Sequence, residues 1–240
     1  SKNIPLDKIG GKMETIKKLP ALLGEVDVLR TIQLLPGVQS GGEGSTGFFV
    51  RGGSSDQNLI LLDEAPVYNA SHLLGFFSVF NQDAIKDAEL YKGGIPARYG
   101  SRLSSVLDVR MKEGNLKRFS AAGGIGLISS RLTLEGPIIK DKASFILSGR
   151  RSYADLFLPL ANNPGLQDSR LYFYDLNGKI NWKINDKNRV FLSGYTGRDV
   201  LGVGDLFRLG WGNVTFTGRW NHLFTDKLFS NLTVIYSTYD

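Results

Sequence analysis

The sequence predicts an N-terminal small α/β domain followed by antiparallel β-barrel strands, too few in this chain to close a barrel, and three observations carry that reading. The first is a change of character near Gly114. Residues 1–115 hold 13 basic and 13 acidic side chains with 8 aromatics, whereas 116–240 hold 16 basic, 10 acidic and 18 aromatics. The second is strict alternation of apolar and polar residues in the later part, the period of a strand with two unlike faces. The third is that the connections between those strands alternate between short and long.

Composition removes several classes at once. With 42% hydrophobic residues the 240-residue chain is too apolar for a disordered protein and long enough for one sizeable core or two small ones. The absence of cysteine excludes a disulfide scaffold, a thiolate metal site and a cysteine nucleophile. His72 and His222 are the only histidines, too few for a multi-histidine metal centre, so no metal and no cofactor is expected. No run approaches the roughly 20 apolar residues of a spanning helix. The net charge of +6 comes entirely from the second half, spread along alternating strands rather than gathered in a nucleic-acid patch. The opening SKNIPLDKIG has no charged-then-apolar leader with a small-residue cleavage site, so any export signal is expected to lie upstream or to have been removed.

The strand signal is clearest from Tyr172 to Ile184. Even positions read Tyr172, Tyr174, Leu176, Gly178, Ile180, Trp182 and Ile184; odd positions read Phe173, Asp175, Asn177, Lys179, Asn181 and Lys183. Val214, Phe216, Gly218 and Trp220 alternate in the same way with Thr215, Thr217 and Arg219, and Leu232, Val234 and Tyr236 alternate with Thr233 and Ser237, broken by Ile235. Leu132 and Leu134, then Phe145 and Leu147, mark earlier strands, whereas Val190 to Thr196 carries apolar residues on both faces. Tight polar turns fall at 140–142, 185–188 and 225–227, and longer irregular segments are expected at Ala154 to Arg170 and Arg198 to Arg208. A soluble sandwich also alternates. Polar faces rich in Asn, Lys, Asp and Arg, aromatics near strand ends and alternating loop lengths favour a membrane barrel instead. Arg150 and Arg151 are then one inward and one outward charge near an interface.

The first 115 residues read as mixed structure. Val26, Leu29 and Ile32 predict a helix over Glu25 to Leu35, ended by Pro36-Gly37. Strands are expected at Phe48 to Arg51, Leu59 to Leu62 and Val106 to Met111. GGEGSTG at 41–47 lacks the Lys-Ser/Thr of a phosphate loop and leads into a strand. Asp63 and Glu64, adjacent on an extended segment, point to opposite faces and suit a turn better than paired acid–base chemistry.

Three segments, VRGGSSDQNLILLDEAPVYN at 50–69, FNQDAIKDAELYKGGIPARYG at 80–100 and SRLSSVLDVRMKEGN at 101–115, resemble the plug domain of TonB-dependent outer-membrane receptors. LPGVQSGGEG and LDEAPVYNASHLLGFFSVFN are similar to Bacteroidetes receptors of this family that carry an extra periplasmic domain ahead of the plug. The resemblance implies a plug over 1–115 and the N-terminal part of a transmembrane β-barrel, about seven strands, over 116–240. It also implies, within FNQDAIKDAELYKGGIPARYG at 80–100, a helix with Ile and Glu leading into Lys-Gly. Family barrels of this kind have 22 strands, so the chain is expected to be part of a longer receptor. Two departures stand out: no TonB box is recognisable in residues 1–20, and LYKGGIPARYG lacks the Leu-Lys-Asp-Ala-Ser-Ala run usual in the family's glycan importers.

The implied function is energy-coupled uptake, in the outer membrane of a Gram-negative bacterium, of a ligand such as a siderophore, vitamin, metal complex, peptide or glycan. No enzyme activity is implied. The implied partners are a TonB-type inner-membrane energy transducer, outer-membrane lipid, the small-molecule or oligomeric ligand and a surface lipoprotein, with no nucleic acid. Candidate ligand contacts are Tyr68, Asn69, His72 and Phe76 on the plug and Asp155, Asp168, Asp199 and Asp205 on the strand connections. Arg51, Arg98 and Arg102 are candidate plug anchors, because a movable domain is held better by charge-assisted hydrogen bonds than by an apolar interface. The alternatives are a passive porin or adhesion barrel, which needs no plug, and a membrane-embedded hydrolase, for which the two separated histidines give poor support.

Overall fold

The structure, a computed structural model, describes residues 8–12, 29, 38–40, 48–50, 58–72, 77–91, 105–153 and 168–240. It separates into two compact units, Ser1–Met111 and Lys112–Asp240.

The first unit contains β1 (Lys8–Lys12), β2 (Val38–Ser40), β3 (Phe48–Val50), β4 (Asn58–Leu62), β5 (Ala65–Pro66), β6 (Ser71–His72), β7 (Phe77–Ser78), β8 (Ile85–Tyr91) and β9 (Ser105–Met111). Its main sheet has the order β1-β8-β9-β4-β5, with β4 and β9 parallel and the other pairs antiparallel. Strand β9 lies between β8 and β4 and is buried along nearly its whole length, which explains why Val106, Leu107, Val109 and Met111 form an almost continuous apolar run. Of the expected Glu25–Leu35 helix only Leu29 is among the described residues, where it is helical and buried.

The helix implied for the Ile85–Glu89 region is corrected: these residues form β8. Ala, Lys, Glu and Leu favour helix in isolation, but here β1 and β9 hydrogen-bond to both edges of the segment, and Ala88 and Leu90 are buried between half-buried Asp87 and Glu89. A buried turn aims the strand. Asn81 Oδ1 accepts from the Asp83 backbone N–H at 3.1 Å, and the Asn81 carbonyl accepts from Ala84 at 3.0 Å.

Asp63 and Glu64 form the two-residue turn between β4 and β5. Both have positive φ, 46° and 73°, the conformation of a type I′ hairpin turn, which favours Asn-Gly or Asp-Gly. Asp63 tolerates it because its side chain has a second use: Oδ1 accepts from the Met111 N–H at 3.0 Å while its own N–H donates to Val109 at 2.9 Å, closing the end of β9. Glu64 holds its left-handed φ of 73° with a Cβ, where glycine is free of that steric cost. Glu64→Gly should therefore raise the unfolding free energy of the full-length protein by about 1 kcal/mol, measured by urea denaturation, with no change in fold.

The second unit is a meander of seven antiparallel strands in sequence order: β10 (Ser120–Ile125), β11 (Ser129–Ile139), β12 (Ala143–Ser152), β13 (Arg170–Asn185), β14 (Asn188–Val203), β15 (Phe207–Thr225) and β16 (Leu228–Tyr239). The alternation read from the sequence maps onto its faces. Leu147, Leu176, Ile180, Trp182, Leu192, Phe216, Trp220, Leu232 and Val234 are exposed on one face, while Asp175, Asn177, Asn181, Ser193, Thr215 and Thr217 are buried on the other. From Tyr174 to Ile184 the outward apolar stripe spans ten residue rises, about 33 Å along the strand and about 23 Å in height at a 45° tilt, close to the thickness of a barrel's apolar band. This is the wall of a transmembrane β-barrel. The ambiguous stretch in β14 is settled by register. Leu192 faces outward, and Phe191 faces the polar side, where Arg189 and Lys179 place their cations 5.0 and 5.7 Å from its ring.

One expected loop is corrected. Arg198 to Arg208 does not form an irregular segment: β14 and β15 stay paired from Arg198↔Gly212 to Val203↔Phe207, leaving only 204–206 as the turn. The alternation weakens there because both faces carry apolar residues or glycine once the strands pass beyond the apolar band. The tight turns at the opposite end are polar, and at one of them the Lys117 ammonium hydrogen-bonds Asp141 at 2.5 Å, holding that carboxyl below its ordinary range.

Replacing Ile180 by Arg should destabilise the folded barrel by about 2–4 kcal/mol, whereas Lys179→Arg on the polar face should change it little. Urea unfolding of full-length protein in liposomes measures both.

Candidate functional site

The polar face of the second unit is built in rows. Because each antiparallel pair fixes which residues stand opposite, one row crosses six strands as Thr133, Ser148, Asn177, Tyr195, Thr215 and Ser237. Thr133 and Ser148 share a hydroxyl–hydroxyl hydrogen bond of 2.5 Å. Among the described residues none accepts from Asn177 Nδ2, which leaves a buried amide donor on this face.

The next row toward the long connections holds the strongest electrostatic feature. Arg150 donates to Asp175 Oδ2 from Nη2 at 2.7 Å and from Nε at 3.3 Å, with both side chains almost wholly buried. The Arg150 guanidinium also lies 4.9 Å from the centre of the Phe173 ring, and Asp199 stands opposite Phe173 in register. Arg151 points the other way and stacks its guanidinium 5.1 Å from the Tyr172 ring, the inward–outward split expected of adjacent strand residues.

At the tight-turn end, the segment entering the sheet is fastened to the same face. The Glu113 carbonyl accepts from Ser144 Oγ at 2.6 Å, and its carboxylate receives Asn181 Nδ2 at 3.4 Å and faces Arg189 at 3.7 Å. Gly114, with φ of 89°, lets the chain turn against β12, where a Cβ would fall 2.4 Å from the Phe145 carbonyl oxygen.

In the first unit, one sheet face groups Asp87, Glu89 and Asp108 around Arg110. Burial works against the Arg110 charge, but Asp108, Asp87 and Glu89 outweigh it and hold the guanidinium above its ordinary pKa. Tyr91 donates from its hydroxyl to Glu89 at 2.9 Å.

The residues singled out from sequence fall in different environments. Tyr68 is 65% exposed, and Asp168 and Asp205 are exposed. Asn69 uses its side-chain oxygen locally, accepting from the Ser71 N–H at 3.2 Å and its hydroxyl at 3.1 Å. His72 is buried in β6 opposite Phe77, and Asp199 is buried on the polar face. Phe76, Asp155, Arg51, Arg98 and Arg102 lie outside the described residues. The Arg150–Asp175 pair and the hydroxyl row were not found from sequence. Their signal is a charge of each sign on the polar face of neighbouring strands, and it becomes readable only once register is known.

Residues 15–105 match the family model described as TonB-dependent Receptor Plug Domain. Over these residues the chain is similar to a TonB-dependent receptor plug. Solved structures agree in fold. The siderophore receptor PirA from Pseudomonas aeruginosa is similar with a TM-score of 0.70 at 19% identity, over 99% of this chain and 41% of that one. PirA from Acinetobacter baumannii gives 0.69 at 18%, over 97% and 40%, and the copper transporter OprC gives 0.67 at 14%, over 97% and 37%. This chain thus spans about two-fifths of the length of these structures. No curated protein sequence matches it.

Arg150→Met, which takes the guanidinium away from the buried Asp175 carboxylate, should destabilise the barrel by about 3–5 kcal/mol, and the double replacement Arg150→Met/Asp175→Leu should recover most of that loss. Chemical denaturation of the three proteins in liposomes checks the pair.

Proposed function

We propose that this chain is the plug and part of the barrel of an outer-membrane receptor in a Gram-negative bacterium that imports its ligand with energy from a TonB-type inner-membrane transducer. The observation that carries the reading is the succession, in one polypeptide, of a plug-family sequence at 15–105 and a seven-stranded wall with one apolar and one polar face. A passive porin gains nothing from a folded plug. Import of this kind makes and breaks no covalent bond, so it asks for binding groups and a movable obstruction rather than a nucleophile and a base.

The ligand belongs to the class of chelated metal ions, siderophore complexes foremost. Support comes from the fold neighbours, described as siderophore receptors and a copper transporter. Tyr68 and the carboxylates Asp168 and Asp205 are the exposed contacts, with Asn69, His72, Phe76, Asp155 and Asp199 completing the set to be tested. Arg51, Arg98 and Arg102 anchor the plug through charge-assisted hydrogen bonds.

Cells expressing the full-length receptor should take up a radiolabelled ferric siderophore only while the proton-motive force is intact, and a protonophore should abolish uptake while leaving surface binding in place. Uptake unaffected by the protonophore would favour a passive pore. Tyr68→Ala should weaken binding of the transported complex about tenfold or more without changing barrel assembly.

A further inference from the structure

The outward face of the sheet changes chemistry just above its apolar band. At the height of Tyr174 the row reads Arg151, Tyr174, Arg198 and Gly212; two rows further from the tight turns it reads Arg170, Gly202 and Arg208. All four arginines are exposed, and strand parity puts them on the face that bears Leu147, Leu176 and Phe216. None therefore belongs to the polar inner wall.

Two glycines show that three of these side chains share one small area. A Cβ on Gly210 would lie 3.0 Å from Arg198 Nη2 and 3.2 Å from its Nε, so the Arg198 guanidinium leans over Gly210 toward the upper row. A Cβ on Gly202 would lie 3.7 Å from Arg170 Cβ and 3.8 Å from Arg208 Cγ, so those two side chains flank a bare floor. Like charges on neighbouring strands repel. Among the described residues, the carboxylate of Asp240, 3.8 Å from Arg198, is the acidic group on these rows, while Asp205 lies in the hairpin turn above and Asp168 in the segment ahead of β13. Among the described residues four guanidiniums share these rows with one carboxylate, an excess of positive charge suited to a multiply charged anion.

We propose that Arg170, Arg198 and Arg208, with Arg151 stacked on Tyr172 beside them, bind the phosphate groups of the glycolipid that forms the outer leaflet of the outer membrane. Position selects the occupant. The patch lies directly above the acyl-chain zone, at the end of the sheet bearing the long connection, so a bound anion must have its acyl chains alongside Leu176, Val214 and Phe216. Guanidinium forks match phosphate oxygens bidentately, and the glycine floor admits a sugar-phosphate headgroup close to the sheet. This rests on the reading that the sheet crosses the outer membrane with its long connection outward.

The test uses the full-length receptor in lipid nanodiscs, with bound lipid counted by native mass spectrometry. The probes are bisphosphorylated lipid A, lipid A stripped of both phosphates, and phosphatidylglycerol. The wild type should retain bisphosphorylated lipid A, and R170Q/R198Q/R208Q should lose at least about tenfold in retention. K140Q/K142Q at the opposite end should match the wild type. Equal retention by wild type and triple variant, or equal binding of the dephosphorylated lipid or phosphatidylglycerol to the wild type, would overturn the assignment. If the triple variant lacks the heat-modifiable band of a folded barrel, R208Q alone decides, with the same two outcomes. Failure of the wild type itself to enter the nanodisc would instead overturn the membrane reading.

Discussion

A polypeptide wall in hydrocarbon has no water to satisfy its backbone, so every peptide group in the band must be paired to a neighbouring strand. Most of the second unit follows from that constraint. The strands must run antiparallel in an unbroken ladder, so their side chains must alternate between lipid and interior, and a register error of one residue would place Asp175 or Asn181 in lipid. The paired stretches of β12 to β15 meet the requirement, and the recorded register shifts fall beside the tight turns, near Pro137, Lys183 and Leu223, where water is available. The same constraint makes the inner wall chemically free. Released from any need to match hydrocarbon, it carries hydroxyls, amides and the buried Arg150–Asp175 pair.

The plug answers to a different physics. It folds around a small apolar core centred on β9, and its balanced charge is organised locally, as where Arg110 sits among three carboxylates. The end of its central strand is capped by a side chain: Asp63, held at positive φ, reaches back to accept from the Met111 N–H. A strained turn and a single carboxylate are a modest cap for a domain proposed to rearrange during each transport cycle, and strain of this sort collects where conformations change.

Sequence made the barrel wall legible because a lipid face and a polar face impose a period of two, visible without any partner strand in Tyr172–Ile184 and Asn213–Trp220. It failed where that dichotomy lapses. Above the band, Val200, Leu201 and Val203 alternate with nothing, so a paired hairpin looked like a loop. In the plug, IKDAEL has the composition of a helix, and only its two neighbours in the sheet make it a strand. The glycine–arginine surface was likewise invisible, since Arg170, Arg198 and Arg208 lie far apart in sequence and meet only through the register of β13, β14 and β15.

These 240 residues contain no cysteine, so any cysteine introduced here is unique within them, and in a full-length receptor freed of any other cysteine it reports on the central claim directly. Single cysteines placed in turn from Tyr172 to Ile184 in the full-length receptor, labelled with a spin probe in liposomes, should show accessibility to oxygen at even positions and protection from it at odd ones, with a period of two residues. Uniform accessibility to an aqueous nickel chelate along the whole stretch, with no alternation, would contradict a membrane-spanning wall.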